Sequence, residues 1–431
     1  MDLEVRTMRR VTARLVPFLI LCYFVAFLDR VNLSFAALTM NKDLGISATV
    51  FGQAAGIFFL SYFIFEVPSN LALEKFGARK WIARIMVTWG LVSGSMAFVS
   101  GETSFLTVRF LLGAAEAGFF PGIIFYMMLW FPSAYRARIA GLFMAAIPLS
   151  GVLGAPLSNW LLGLDGALGL QGWKWMFILE AVPALILSAV VLKVLTDRPA
   201  DAAWLPADER DWLIERLRQE ERHRVATKHF SVWQALLNPK VLALSVVYFG
   251  NVACLYGTSF FLPQIVKAFG LDNSTSILVS AIPAMVGVAG SILWGRHSDH
   301  TGERKGHLLI SLALASGGTA ACAILPSPTL KMIALSVAAF GIYGALPVFW
   351  TLPTAFLSGA AAAGGIAIIN SLGNLSGYYG PSIVGFLKDR TGGFEAGLLA
   401  LAAAGAVSFL IVLTLNHDRA LERAPEAHPV E

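Results

Sequence analysis

The feature that most constrains this chain is a series of apolar runs, each 18 residues or longer, that recurs from one end to the other. A helix of about 20 apolar residues is long enough to span ~30 Å of hydrocarbon. The 431 residues are 57% hydrophobic and only 14% charged, whereas an average soluble domain contains about 25% charged residues. The sequence therefore predicts an all-α membrane protein.

The runs predict twelve transmembrane helices in two groups of six, separated by a charge-rich stretch. We expect a six-helix bundle in residues 1–195, a cytoplasmic linker with a short amphipathic helix in 196–239, a second bundle in 240–418 and a cytoplasmic tail in 419–431. The predicted spans are 15–40, 50–73, 80–100, 104–130, 137–163, 174–195, 240–268, 275–296, 306–325, 331–357, 361–387 and 394–416.

The two halves repeat at an offset of about 225 residues, which predicts pseudo-symmetric bundles. Glu74–Lys80 aligns with Asp299–Lys305 at this offset. Repeats of this size build many secondary transporters, whose sites lie at the membrane midplane between the repeats. The same offset places Asp29 opposite Cys254 and Glu116 opposite Gly341. The buried charges therefore belong to the first half alone.

The distribution of basic residues predicts the orientation. With both termini inside, the cytoplasmic segments hold 24 Lys and Arg residues and the outer loops hold 6. Basic residues mark the cytoplasmic side of a membrane protein. We expect a multi-pass protein of the cytoplasmic (inner) membrane with both termini in the cytoplasm.

Six ionisable residues lie inside the spans of the first half, away from the span ends. A charge in hydrocarbon costs at least a few kcal/mol, so it persists where it is paired, hydrated or useful. Glu66 and Glu180 are interpreted as structural, Glu66 paired with basic loops and Glu180 within reach of Lys174. The other four are candidate functional residues: Asp29, Arg30, Arg109 and Glu116.

Asp29 and Arg30 are neighbours, so their side chains point about 100° apart on a helix. A buried guanidinium is a planar cation suited to binding a carboxylate. The alternative for Arg30 is a purely structural role in neutralising Asp29 or another helix. Burial and a nearby cation have opposite effects on a carboxyl group, so Asp29 could change protonation; the alternative is a permanent ion pair.

Arg109 and Glu116 are seven residues apart, so they share a helix face about 10.5 Å apart. This spacing suits two groups that exchange partners during a cycle. Other polar or aromatic residues in the spans could line a substrate cavity or only pack between helices. They are Tyr62, Trp350, Asn370 and Asn374.

Several segments resemble one known family. Gly295–Lys305 resembles the signature of the major facilitator superfamily between paired helices, and the first-half copy has Asn70 and Glu74 in place of its Gly and Asp. The chain further resembles the anion:cation symporter branch, especially bacterial tartrate/phthalate-type organic anion transporters. The segments that carry this likeness are 27–34, 65–70, 109–118, 350–353 and 369–374.

The resemblance implies roles for individual residues. It implies that Arg30 binds the carboxylate of the substrate and that Tyr62 contacts the substrate. It implies that Asp29 and Glu116 are protonatable coupling residues, with Arg109 as the partner of Glu116 or a substrate contact.

We therefore expect a proton-coupled symporter that imports a small organic carboxylate by alternating access. The expected partners are the organic anion, protons and the lipid bilayer; no nucleic acid, cofactor or metal is expected, and the protein should be monomeric. The open alternatives are an exchanger or uniporter without proton coupling and, from another class, a non-transporting membrane receptor. An enzyme is disfavoured because the spans contain no Ser/His or metal-binding constellation. Tartrate-like hydroxyacids, sugar acids and aromatic acids all remain open.

Overall fold

The computed structural model describes residues 3–144, 146–225, 238–356 and 360–415. Within these ranges, eleven helices are long and apolar enough to cross a membrane, which confirms the all-α membrane fold. The predicted span 361–387 is divided into two helices, Ala360–Asn374 and Ser376–Thr391, so the count of twelve stays a prediction.

The chain forms two compact units. Unit 1 contains residues 1–40 and 57–227, and unit 2 contains residues 41–56 and 228–431. The N-terminal part of the second helix thus belongs to unit 2, whereas the rest of that helix belongs to unit 1. The sequence-predicted boundaries at residues 195 and 240 stay predictions.

The described helices from the first half of the chain are mostly membrane-spanning. They are α1 (Leu3–Leu44), α2 (Ala48–Phe76), α3 (Ala78–Ser95), α4 (Glu102–Glu116), α5 (Phe119–Trp130), α6 (Ser133–Met144), α7 (Ala146–Leu162), α8 (Gly172–Val194) and α9 (Ala207–Val225).

The predicted fourth span is broken into α4 and α5. Gly118, between them, has a φ angle of +85°, which a residue with a side chain adopts at a cost. A Cβ atom there would also lie 2.4 Å from Oγ of Ser69. The break places Glu116 at the last position of α4, and irregular backbone at membrane depth is tolerated where it is enclosed by protein or lines a cavity.

The helix α9 of the linker is bound to the beginning of α1. Glu209 is almost fully buried and receives ion pairs from Arg6 and Arg10, each at 2.9 Å. Leu213 of the same helix is also fully buried. These contacts attach α9 to unit 1.

The described helices from the second half include a short π-helical turn. They are α10 (Pro239–Lys267), α11 (Asn273–Ala289), a π-helical turn (Gly290–Trp294), α12 (Gly295–Thr301), α13 (Lys305–Ile324), α14 (Pro328–Phe349), α15 (Thr351–Phe356), α16 (Ala360–Asn374), α17 (Ser376–Thr391) and α18 (Glu395–Thr414).

The signature segment in unit 2 stabilises the ends of helices. Arg304 Nη1 lies 2.6 Å from Asp299 Oδ1. Lys305 Nζ donates hydrogen bonds to the carbonyl oxygens of Leu413 and Leu415, at 3.0 and 2.7 Å. These carbonyls lie at the carboxyl end of α18, where a cation interacts favourably with the helix dipole.

The positions opposite Asp29 and Glu116 serve helix packing. Cys254 is fully buried, and its thiol donates to the Leu401 carbonyl oxygen at 3.2 Å. A Cβ atom on Gly341 would lie 2.4 Å from the backbone nitrogen of Ala315. These two positions in unit 2 therefore carry close contacts where unit 1 carries charges.

The close approach of α4 to α2 generates a prediction. A Cβ atom on Gly113 would lie 2.1 Å from both the Phe58 carbonyl oxygen and Ser61 Oγ. Gly113→Ala should therefore force the helices apart and cost about 1–3 kcal/mol of stability. The measurement is the melting temperature of the purified protein in detergent.

Gly317→Ala is the matched control, because nothing lies within 4 Å of a Cβ atom there. An alanine in a helix interior is more favourable than glycine by about 1 kcal/mol, so the control should melt at the wild-type temperature or slightly above it. Equal melting temperatures for both variants would contradict the close packing of α2 and α4.

Candidate functional site

The centre of the candidate site in unit 1 is an ion pair between α1 and α4. Arg30 Nε donates a hydrogen bond to Glu116 Oε1 at 2.9 Å, and Arg30 Nη2 donates to the same oxygen. Arg30 is 9% exposed and Glu116 1% exposed. The pair joins two helices that are 86 residues apart in sequence. Hydrogen bonds between ionised groups are about twice as strong as neutral ones.

Aromatic rings surround the guanidinium group of Arg30. Its Cζ atom lies 4.8 Å from the ring centre of Phe27, 5.1 Å from that of Phe58 and 5.6 Å from that of Tyr62. Arg109 Cζ lies 5.0 Å from the centre of the Phe58 ring. Cations within about 6 Å of an aromatic ring are attracted to its face. Phe58 therefore helps to hold both arginines, a role that its place in an apolar run did not indicate.

Arg109 is fully buried within α4 and lies near enough to Glu116 for their charges to interact. The hydrogen-bonded partner of Glu116 in the structure is nevertheless Arg30. Two of the sequence-predicted cations thus lie close to one predicted carboxylate, together with Tyr62. The structure brings these four residues into one group: Arg30, Tyr62, Arg109 and Glu116.

Asp29 occupies a separate position in unit 1. It is 2% exposed, and the indole nitrogen of Trp89 on α3 donates a hydrogen bond to its Oδ2 atom. Its Oδ1 atom has no hydrogen-bond partner among the described residues. Asp29 forms no salt bridge within the described ranges, so the permanent ion pair considered from the sequence is not seen there. Trp89, its actual partner, was not predicted.

The candidates in unit 2 lie around an aromatic cluster. The ring of Trp350 meets the ring of Tyr248 edge to face, with centroids 5.0 Å apart, and Tyr248 stacks on Phe349 at 5.0 Å. A Cβ atom on Gly373 would lie 1.9 Å from the Tyr248 ring, so α16 passes directly against this tyrosine.

Asn370 and Asn374 lie three residues before and one residue after Gly373, and both are half-buried. Tyr248, which no sequence pattern indicated, therefore connects Trp350 with the helix that carries both asparagines. The roles of all three predicted residues stay predictions.

Comparisons with known proteins establish the family. Residues 19–381 match the model of the Major Facilitator Superfamily. The chain therefore belongs to this superfamily, and it is a multi-pass membrane transport protein rather than an enzyme.

The chain is similar to several individual transport proteins. The chain is 53% identical over 430 residues to an Agrobacterium vitis protein named "Putative tartrate transporter", covering 100% of this chain and 99% of the relative. It is 41% identical to the "Quinolone resistance transporter" of Acinetobacter baumannii, covering 98% and 97%. Among solved structures, a bacterial homologue of the human lysosomal transporter Spinster has 18% identity and a TM-score of 0.75, covering 96% of this chain and 99% of that one. The last likeness supports the fold alone.

The buried pair of Arg30 and Glu116 leads to a prediction about stability. Arg30→Met should leave the Glu116 carboxylate without its hydrogen-bonded cation, which typically costs about 3–5 kcal/mol. Arg30→Met combined with Glu116→Gln removes both charges of the pair and should recover part of the lost stability, since Arg109 then lacks the Glu116 charge. Thermal unfolding of the purified variants in detergent measures the difference. If the single and double variants melted at the same temperature, the Arg30–Glu116 pair would not stabilise the folded protein as its geometry indicates.

Proposed function

We propose that this protein is a proton-coupled symporter that imports a small organic carboxylate across the cytoplasmic membrane. The observation that carries the proposal is the buried Arg30–Glu116 ion pair, whose guanidinium group lies beside the aromatic rings described above. Arg30 is a cation that a substrate carboxylate could bind in place of the protein's own carboxylate. Tyr62, beside Arg30, and Arg109 are the proposed further contacts for the anion.

The pairing suggests how proton and substrate movements are coupled. When Glu116 is protonated, it no longer balances the charge of Arg30, and the guanidinium can bind a substrate carboxylate instead. When the substrate leaves, Glu116 loses its proton and pairs with Arg30 again. In either state, one carboxylate balances the charge of Arg30. If Glu116 were protonated with no anion bound, or ionised with an anion bound, one buried charge would be uncompensated. The two-state equilibrium of alternating access is therefore biased towards loaded or empty forms.

Asp29 is the second proposed coupling residue. It is buried without a cation partner among the described residues, and its charge interacts with that of Glu116. In unit 2, Asn370, Asn374 and Trp350 would contribute hydrogen bonds and an aromatic surface to substrate selection. We add Tyr248 to these proposed substrate-selecting residues because it connects Trp350 with α16.

The name of the Agrobacterium vitis relative supports tartrate or another hydroxyacid as the substrate. Membership of the anion:cation symporter branch is part of the proposal and is supported by the segments that resemble that branch. We further propose a monomer in the inner membrane. Both termini lie in the cytoplasm in this proposal, as the 24 inner and 6 outer basic residues indicate.

An exchanger or uniporter is the alternative in which Asp29 and Glu116 keep fixed protonation. A non-transporting receptor is the alternative in which ligand binds but does not cross.

Uptake of radiolabelled tartrate into proteoliposomes with an imposed inward proton gradient tests the proposal. Wild type should accumulate tartrate above the external concentration. Glu116→Gln and Asp29→Asn should lose gradient-driven accumulation by at least tenfold, because a neutral amide cannot exchange a proton. At least one of them should retain counterflow exchange, which requires substrate movement but no net proton flux.

Glu102→Gln is the matched control, since Glu102 is exposed in the first turn of α4, outside the proposed machinery, and it should behave as wild type. Sugar acids, aromatic acids and a quinolone should be tested in competition, the quinolone because of the name of the Acinetobacter baumannii relative. Equal uptake with and without the gradient, unchanged in the Glu116 and Asp29 variants, would contradict proton coupling. Binding of tartrate without any uptake would favour the receptor.

A further inference from the structure

Another carboxyl group, buried between membrane-spanning helices of unit 1, takes no part in the proposed mechanism. Glu180 of α8 is 2% exposed. The hydroxyl of Ser158 on α7 donates a hydrogen bond to its Oε1 atom at 2.8 Å. Its Oε2 atom has no hydrogen-bond partner among the described residues.

The cation that the sequence suggested for Glu180 does not pair with it in the described structure. Nζ of Lys174 lies 5.3 Å from the centre of the Trp173 ring. No salt bridge to Glu180 occurs within the described ranges. An ionised carboxylate in this position would therefore have only neutral donors, although burial of an unpaired charge is costly.

The neighbour of Glu180 on α1 is an amide that can serve either form of the carboxyl group. Asn32 is fully buried beside Glu180, and neither its oxygen nor its nitrogen forms a hydrogen bond of normal geometry with the described residues. An amide can donate from nitrogen to a carboxylate or, turned over, accept on oxygen from a carboxylic acid. Asn32 can thus satisfy Glu180 with or without a proton.

Asn32 also connects Glu180 with Asp29. It lies three residues after Asp29 on α1, which places both side chains on the same face of the helix. The charges of Asp29 and Glu180 are close enough to interact. Two like charges in a buried site are not readily ionised together. The groups that face these two carboxyls are the hydroxyls of Ser93 and Ser158, the Trp89 indole, the Asn32 amide and the Glu116 carboxyl.

We infer that Glu180 binds and releases a proton during transport, and that it acts with Asp29 as a second buried carboxyl without a cation partner in the described part of the chain. This inference rests on the proposed symport. The proton is taken from the compartment that supplies the substrate, occupies Glu180 in the loaded state, and is released to the other compartment after the substrate leaves. Ser158 and Asn32 are positioning residues that hold the carboxyl group in both states.

The experiment measures how many protons cross with each tartrate when the full-length protein is reconstituted in proteoliposomes. Steady-state accumulation of radiolabelled tartrate is measured at several imposed pH gradients, with the membrane potential clamped by valinomycin and potassium. Glu180→Gln should lower the ratio by one proton, which reduces accumulation about tenfold per unit of pH gradient. Glu180→Asp retains an exchangeable proton and should keep the wild-type ratio.

Two controls separate this role from a structural one. Glu102→Gln should keep the wild-type ratio, because it removes an exposed carboxyl group of unit 1 outside the proposed pathway. Glu180→Met is a second neutral variant of similar size, which provides the same comparison if Glu180→Gln is not recovered in folded form. A structural role would lower the amount of folded protein without changing the ratio of protons to tartrate.

A wild-type protein that couples tartrate to protons, with an unchanged ratio in the neutral variants, would overturn the role of Glu180 and leave the proposed function intact. A wild-type protein without gradient-driven accumulation would overturn both. A ratio lowered by one in Glu180→Gln or Glu180→Met, and kept in Glu180→Asp, would support the inference.

Discussion

The high cost of an unpaired charge in hydrocarbon is the constraint on which the arrangement of unit 1 depends. Arg30 and Glu116 lie on helices distant in sequence, and their ion pair is what makes both charges tolerable there. Opening that pair is costly unless a proton neutralises the carboxyl group and another anion replaces it. The same interaction that stabilises the packing of α1 against α4 is therefore the one that we propose couples the substrate to the proton.

Backbone geometry positions these charges. Gly113 lets α4 approach the backbone of α2 at the Phe58 carbonyl, and the ring of Phe58 then lies beside both Arg30 and Arg109. Gly118 ends the continuous helix just after Glu116. In unit 2, Gly373 brings α16 against Tyr248 in a similar way. Small residues thus matter here because they permit close approach, as is common between membrane helices.

Much of the fold could be predicted from the sequence, because the length and apolarity of a span follow from the bilayer thickness. The candidate charges could also be found, since an ionisable residue stands out in an apolar run. The hydrogen-bond partners of these charges could not be predicted. Arg109 and Glu116 share a helix and an obvious spacing, yet Glu116 hydrogen-bonds to Arg30. Lys174 is near Glu180 in sequence, yet Ser158 of α7 is its partner. Contacts between helices depend on rotation and tilt, which packing sets and hydropathy does not encode.

The central claim is that an organic anion and a proton cross together. The most direct test is to add tartrate outside proteoliposomes that contain a pH-sensitive dye, with no gradient imposed at the start and the membrane potential clamped. The account predicts that the lumen of wild-type proteoliposomes acidifies as tartrate enters, and that protein-free liposomes and Glu116→Gln proteoliposomes show no such change. Tartrate entry into wild-type proteoliposomes without a change in lumenal pH would contradict it.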